Sequence, residues 1–269
     1  MSLTLTLHTP PEVPVEAENI SPDRLTGLSV AEVAALTVQY GNQQAALGDF
    51  FGVKGSANGE IHLEGDLQSV KMIGHGMTGG RIIVHGNIGM HVGATMSGGE
   101  ILVEGNAGDW AGAEMSGGLL HIMGNAGNAL GSGYRGGKIG MQGGEILVHG
   151  NAGSEAGGAM RRGLIAIAGD SGDFTGVNML AGSIIVFGEL GWRCGASMKR
   201  GTIVTMHEAR ILPTFSYACT YQPAFLRLYL HHLRQMDFPV EDAHLNGRYR
   251  RWSGDAVELN RGEILIFDE

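Results

Sequence analysis

Glycine returns at fixed intervals through the middle of this chain. Gly80, Gly99, Gly118, Gly144, Gly163, Gly182 and Gly201 are separated by 19, 19, 26, 19, 19 and 19 residues, and self-similarity at a fixed period decides architecture before local propensity does. Each interval opens with a short β-prone run: RIIVHG from Arg81, EILVEG from Glu100, LLHIMG from Leu119, EILVHG from Glu145, LIAIAG from Leu164 and SIIVFG from Ser183. Their second and fourth positions are Ile82 and Val84, Ile101 and Val103, Leu120 and Ile122, Ile146 and Val148, Ile165 and Ile167, Ile184 and Val186. A period of two puts these on one face, which is the expected core. The intervening positions, His121 and Ala166 among them, are looser and read as an outward face. Ile61 and Leu63 form a less regular first rung, and Ile203 begins a last one.

Three residues before each closing glycine stands a methionine: Met77, Met96, Met115, Met141, Met160, Met179 and Met198, usually within Gly-x-x-Met-x-x-Gly. The 26-residue interval contains GSGYRGG from Gly131 followed by KIGMQGG from Lys138, so one seven-residue corner is duplicated. A 19-residue unit with one apolar strand cannot bury its inner face alone. Stacking such units about 4.8 Å apart buries all of them in one column. The expected fold is therefore all-β: a parallel right-handed β-helix, a single-stranded solenoid of 19-residue coils roughly 34 Å long, with small helical caps at both ends. In it the methionines form an internal structural ladder of flexible core filler beside glycines that let backbones approach. Asn87, Asn106, Asn125 and Asn151, with Asp170 at the next equivalent place, follow strand-ending glycines and read as a turn ladder.

Composition removes the competing explanations. The chain has 46 glycines but 7 prolines and no Gly-X-Y period, which fits neither collagen nor a disordered Pro/Gly-rich chain. A formal net charge of −9 gives no overall drive toward nucleic acid or an anionic membrane. Cys194 and Cys219 are too few for a disulfide framework or a closed zinc site and suit a reducing, cytoplasmic compartment. The start, MSLTLTLHTPPEVPVE, lacks a basic n-region and breaks at Pro10 and Pro11, so no signal peptide is expected there. No apolar run reaches the roughly 18 residues of a membrane-spanning helix.

The flanks depart from the rhythm. SVAEVAALT opens with a Ser29-to-Glu32 capping box and reads as a short helix, followed by a Leu-Gly-Asp-Phe-Phe segment expected to pack on the first coil. After Met206 the period stops. A helix is expected from Pro223 to about Met236 with Leu226, Tyr229, Leu230 and Leu233 on one face, and the closing Gly-Glu-Ile-Leu-Ile echoes Gly99 to Val103 as a late strand. Both flanks read as covers for the open ends of the column. Three parts follow: 1–55, an N-terminal strand and helix cap; 56–206, the glycine-rich β-helix; 207–269, a C-terminal helix and strand cap.

No phosphate-binding loop, His-Glu-x-x-His or Cys-x-x-Cys motif occurs, and no catalytic or metal residues are assigned. His85 lies between Glu64 and Glu104 in the outward row, which reads as a solvated polar face. One departure carries charge. The two places after the methionine are Ser-Gly in early repeats but Arg161-Arg162 and Lys199-Arg200 in later ones, so stacking gathers these four at one corner. In an acidic protein such a strip is a candidate site for a polyanion or an acidic partner.

The lead-in SVAEVAALTVQYGNQQAALGDFFGV, the Gly-x-x-Met-x-x-Gly coils with Gly-Asn turns and the Arg-Gly-Gly duplication at Tyr134 together resemble the C-subunit family of formylmethanofuran dehydrogenase. They are closer still to its bacterial branch, the C subunits of the formyltransferase/hydrolase complex. The resemblance covers about residues 12 to 206 well and the tail less well. It implies a structural component in one-carbon metabolism, without an active site or bound cofactor of its own. The complex it implies moves a formyl group from formyl-tetrahydromethanopterin to methanofuran or methylofuran and hydrolyses the product to formate. The implied partners are three: an amidohydrolase-like A subunit carrying zinc, the B subunit, and the D subunit, a formyltransferase. Two alternatives stay open: the C subunit of a molybdenum or tungsten formylmethanofuran dehydrogenase, and a β-helix spacer similar to that of the glutamate synthase large subunit.

Overall fold

The computed structural model describes residues 2 to 268, so Met1 and Glu269 lie outside the described residues. The N-terminal part runs β1 (Leu3–Leu7), β2 (Val15–Glu16), α1 (Pro22–Leu25), α2 (Val30–Ala34), β3 (Thr37–Tyr40), β4 (Gln43–Ala46) and β5 (Phe51–Gly55). The repeats contribute β6 (Glu60–Glu64), β7 (Val70–Lys71), β8 (Arg81–His85), β9 (Glu100–Val103), β10 (Leu119–Ile122), β11 (Gln142–Val148), β12 (Arg162–Ile167), β13 (Ser183–Val186) and β14 (Arg200–Thr205). The chain ends with β15 (Ser216–Tyr221), α3 (Leu226–Gln235), α4 (Asp242–Asn246), β16 (Arg248–Gly254) and β17 (Arg261–Asp268). Strands dominate, and no helix among the described residues is long and apolar enough to cross a membrane.

Among the described residues thirteen strands form one sheet in the order β15-β16-β17-β14-β13-β12-β11-β10-β9-β8-β6-β1-β5, and the other four form a small sheet, β4-β3-β2-β7. The large sheet is mixed. From β1 to β17 every pairing is parallel, while β5 against β1, and β15 and β16 at the far side, are antiparallel. Register follows the sequence period: Ile82 pairs with Ile101, Ile101 with Leu120, Leu120 with Ile146 and Ile146 with Ile165. These side chains are all fully buried.

Two further rows of backbone bonds tie each repeat to the next. Isolated parallel bridges join Leu67, Ile88, Ala107, Ala126, Ala152, Ser171 and Leu190 in succession. A corner row follows, in which Gly112 N–H donates to Val92 O (2.8 Å), Gly131 N–H to Ala111 O (2.8 Å) and Gly157 N–H to Leu130 O (2.7 Å). The asparagines occupy a turn beside the bridges. Asn106 N–H donates to Asn87 Oδ1 (2.8 Å), Asn125 N–H to Asn106 Oδ1 (2.7 Å) and Asn151 N–H to Asn125 Oδ1 (2.8 Å). Each side chain thus satisfies a backbone donor that a turn leaves over.

The duplicated corner is extruded from the stack, and β11, the strand after it, pairs with β12 with one register shift between Gln142 and Glu145. Met141 N–H donates to Gly131 O at 2.9 Å, which closes the excursion at its base, and Gln142 N–H resumes the inter-repeat bond to Met115 O at 2.7 Å. Tyr134, inside the excursion, folds back so that its hydroxyl meets His91 Nδ1 at 3.1 Å.

The flanks behave partly as the sequence leads one to expect. The capping box at Ser29 and Glu32 forms, with Ser29 N–H donating to Glu32 Oε2 at 2.8 Å. The final Glu263-Ile264-Leu265-Ile266 run is a strand parallel to β14. Strands continue the sheet on both sides, β1 and β5 on one and β17, β16 and β15 on the other. What differs from expectation is α3, which does not cover an open end. Instead its Leu226, Leu230 and Leu233 join Leu147, Ala166, Ile185, Val204 and Leu265 in a second core on the outer face of the sheet. The physical reason is visible in register. The outward column runs Ile83, Leu102, His121, then Leu147, Ala166, Ile185, Val204 and Leu265. From Leu147 onward this column has no polar member, and an apolar sheet face requires a cover.

Candidate functional site

All seven methionines of the ladder are fully buried. A Cβ at Gly144 would lie 2.7 Å from Met115 Cε, one at Gly163 2.7 Å from Met141 Cε, and one at Gly201 2.8 Å from Met179 Cε. Each methionine therefore fills the space that the closing glycine of the following repeat leaves vacant. This explains why the two residue types recur together. The last methionine, Met198, has the same relation to Gly262 of β17, at 2.7 Å, so the tail completes the series after the period has ended.

The four basic residues lie along one corner. Arg161 and Lys199 occupy equivalent places, Arg161 N–H donating to Met141 O at 2.7 Å and Lys199 N–H to Met179 O at 2.8 Å. Arg162 and Arg200 begin β12 and β14. Arg161, Arg162 and Arg200 are exposed and Lys199 is partly buried. Two depressions flank Arg161. One, of about 480 Å³, is lined also by Lys138, Asn178, Ser197, Lys199 and Glu258. The other, again about 480 Å³, is lined by Arg162 with Glu145, Ser183 and Tyr229. Glu258 supplies a counter-charge, 3.7 Å from Lys199 Nζ, and Arg200 pairs in register with Arg261, which extends the strip one strand beyond the repeats. Lys138, Tyr229, Glu258 and Arg261 are not legible as members from the sequence. The first lies in the extruded corner and the others in the aperiodic tail, where spacing gives no register.

Histidines on the outer face form pairs. His62 Nδ1 meets His85 Nε2 at 2.9 Å, and His85 Nδ1 meets Glu104 Oε2 at 3.0 Å. Glu64, which the sequence places on the other side of His85, instead accepts the Thr6 hydroxyl at 2.8 Å. Among the described residues no three His, Cys, Asp or Glu side chains are grouped so as to hold a metal ion.

His121 and His149 meet Nε2 to Nε2 at 2.8 Å, with Phe238 over the His149 ring at a centroid distance of 4.8 Å. That contact requires one ring to donate an N–H and the other to accept through an unprotonated nitrogen, so the two rings cannot both be charged while it holds. Burial lowers the pKa of both rings from the ordinary 6.5, and His149 adds to the lowering at His121 against the opposing charges of Glu100 and Asp237. A ring whose folded-state pKa is depressed takes up protons more readily in the unfolded chain. Its stabilising contribution is therefore complete above about pH 6.5 and is lost as pH falls through the window below. Urea midpoints between pH 7.5 and 5 are expected to fall, and the His121→Gln, His149→Gln double variant is expected to fall less. A residual slope from His75, His91 and His244, also lowered chiefly by burial, remains. Equal slopes in both proteins would contradict this role of the pair.

No family model matches the chain. Over 97 residues it is 46% identical to the C subunit of the tungsten-containing formylmethanofuran dehydrogenase 2 of Methanothermobacter marburgensis, covering 34% of this chain and 36% of that protein. Over 84 residues it is 41% identical to the C subunit of the molybdenum-containing formylmethanofuran dehydrogenase 1 of Methanothermobacter thermautotrophicus, covering 30% of this chain and 21% of that protein. The chain thus spans about a third of the length of the first of these curated relatives and about a fifth of the second. A solved structure aligns throughout. It is a chain in the crystal structure of the formyltransferase/hydrolase complex (FhcABCD) from Methylorubrum extorquens in complex with methylofuran, 33% identical with a TM-score of 0.93, covering 99% of this chain and 100% of that one.

Proposed function

The chain belongs to the C-subunit family of formylmethanofuran dehydrogenase, and from that membership we propose that it is a non-catalytic scaffold within a cytoplasmic formyltransferase/hydrolase complex. In the proposed complex a formyl group passes from formyl-tetrahydromethanopterin to methanofuran or methylofuran and is released by hydrolysis as formate. Its proposed companions are an amidohydrolase-like A subunit holding zinc, the B subunit, and the D subunit, a formyltransferase. The observation that carries the proposal is similarity over 99% of this chain to one chain of a methylofuran-bound complex. The shorter similarity to components of molybdenum and tungsten dehydrogenases supports a second reading, membership in such a dehydrogenase. Reconstitution tests the first: formyl transfer by the other subunits is expected only when this chain is added, and full activity without it would defeat the scaffold role.

We further propose that the three rows of inter-repeat bonds are the faces of a right-handed, single-stranded β-helix over 56–206, flanked by parts at 1–55 and 207–269. The side chains of the repeats support a scaffold because they are spent on stacking. Ile and Val fill the sheet face, methionine fills the glycine gaps and asparagine satisfies the turns.

The strip of Arg161, Arg162, Lys199 and Arg200 is proposed to hold an acidic ligand or subunit, with Glu258 as its internal counter-charge. Reversing all four to glutamate is expected to cost about 0.5 kcal/mol or less at each of the exposed Arg161, Arg162 and Arg200, and more at the partly buried Lys199, where it sets a carboxylate against Glu258. Association of the purified chain with its companions at low salt is expected to weaken about tenfold or more. Unchanged association by titration calorimetry would remove the strip from the account.

A further inference from the structure

The large sheet has two edges, and they are finished differently. At one, β5 carries the exposed Lys54 between Gly52 and Gly55, and an edge lysine discourages a further strand. At the other, β15 reads Ser-Tyr-Ala-Cys-Thr-Tyr, without charge, proline or glycine. Ser216, Tyr217, Ala218 and Cys219 are exposed, so both faces of this strand are open there, and it is held on one side only, by β16. A register shift against β16 between Tyr217 and Cys219 breaks the regularity of this edge, but the strand carries no charge or proline to turn a further strand away.

One side chain reaches the strand's backbone. Arg248, exposed, donates from Nη2 to Thr220 O at 3.0 Å. Its neighbours on β16 have carboxylate partners, Arg250 with Glu208 and Asp268, and Arg251 with Glu263 at 2.7 Å. Arg248 has no carboxylate partner among the described residues. Among the described residues, then, this cation rests on a carbonyl at a strand edge with no carboxylate within ion-pair distance; the carboxylate of Asp268, its cross-strand neighbour, is turned to Arg250.

We propose that β15 is a docking edge for an extended acidic segment of another protein in the complex, which adds as one more strand and places a carboxylate on Arg248. Strand addition of this kind draws affinity from main-chain hydrogen bonds and specificity from alternate side chains, here beside the exposed Tyr217 and Cys219. The charge argues against a second copy of this chain as occupant. Copies joined edge to edge through β15 would offer Arg248 a strand that contains no acidic residue. The inference rests on the chain being one component of a larger complex.

Cys219 reports on this edge. It is exposed, whereas Cys194 is buried with its thiol pushed up to about 11, so N-ethylmaleimide labels Cys219 in the free chain. In the native complex, labelling of the tryptic peptide spanning 211–227 is expected to slow about tenfold or more, since the thiol must be both accessible and ionised to react. Arg248→Glu is expected to weaken association about tenfold at low salt and to restore labelling, with the Tm and Cys219 labelling rate of the free chain unchanged. Full-rate labelling in an intact complex would overturn the docking edge and leave the subunit reading standing. Recovery of the chain without companions would overturn both. Protection of Cys219 in a dimer of the free chain would overturn the choice of occupant, and an Arg248→Glu complex with unchanged affinity and protection would overturn the acidic segment.

Discussion

Gly144→Ala is expected to lower the stability of this protein by about 3 kcal/mol, the sum of roughly 1–2 kcal/mol for a left-handed non-glycine residue and roughly 1–3 kcal/mol for overpacking. Gly144 has φ +82°, and its Cβ would stand 2.6 Å from Gly118 O, 2.8 Å from Gly117 C and 2.7 Å from Met115 Cε. The methionine could move; the backbone of the preceding repeat could not without breaking its own bonds. Truncating the methionine as well, in Gly144→Ala with Met115→Ala, is therefore expected to bring no rescue and to add a cavity penalty of about 2–5 kcal/mol. Gly136→Ala is the control, because Gly136 has nearly the same φ, +87°, and nothing within 4 Å of its Cβ position. It is expected to lose only the conformational part, about 1–2 kcal/mol. Thermal and urea unfolding of the three variants decide the matter. Equal losses at Gly136 and Gly144 would mean that close stacking of the repeats is not what the closing glycines serve.

Leu230→Asp is expected to detach α3 from the sheet or to cost about 4 kcal/mol or more, because it combines two losses. Leu230 is fully buried in the second core. Its replacement forfeits about 2–3 kcal/mol of apolar burial and leaves a carboxyl group without a partner, which adds several kcal/mol or forces the helix into water. Leu228, two residues away, is 76% exposed. Leu228→Asp is therefore expected to stay within about 0.5 kcal/mol of the parent. Hydrogen exchange resolved to 226–235 separates detachment from global unfolding. Greater sensitivity at Leu228 than at Leu230 would contradict the orientation of the helix.

The position of α3 shows where sequence reasoning stops. The periodic strands are legible because Ile, Val and Leu recur at two fixed places per repeat, and the methionines because they keep a constant distance from the closing glycine. The bridge row of Ala107, Ala126 and Ala152 is not, since a single alanine between asparagine and glycine carries little pattern of its own. The helix is legible too, with its buried Leu226, Leu230 and Leu233, but its destination on the sheet face rather than over an open end is not written in its own residues. The signal for that lies in the outward column, which turns apolar at Leu147 and stays so to Leu265.

The basic strip shows the same division. Arg161, Arg162, Lys199 and Arg200 can be aligned because repeat positions translate into spatial neighbours. Tyr229, Glu258 and Arg261 come from segments whose register is fixed only by tertiary packing, so spacing carries no information about them. The turn asparagines and the capping box at Ser29 are legible because a local hydrogen bond accounts for each.

The central claim is that this chain is one component of a formyl-transferring complex, and the direct measurement is its gentle affinity purification from native cells. Companions are identified by mass spectrometry, and zinc, molybdenum and tungsten are quantified in the same sample. The account predicts amidohydrolase-like and formyltransferase companions with zinc and neither molybdenum nor tungsten. A molybdenum- or tungsten-bearing partner would place the chain in a dehydrogenase instead, and a chain recovered alone would contradict the account.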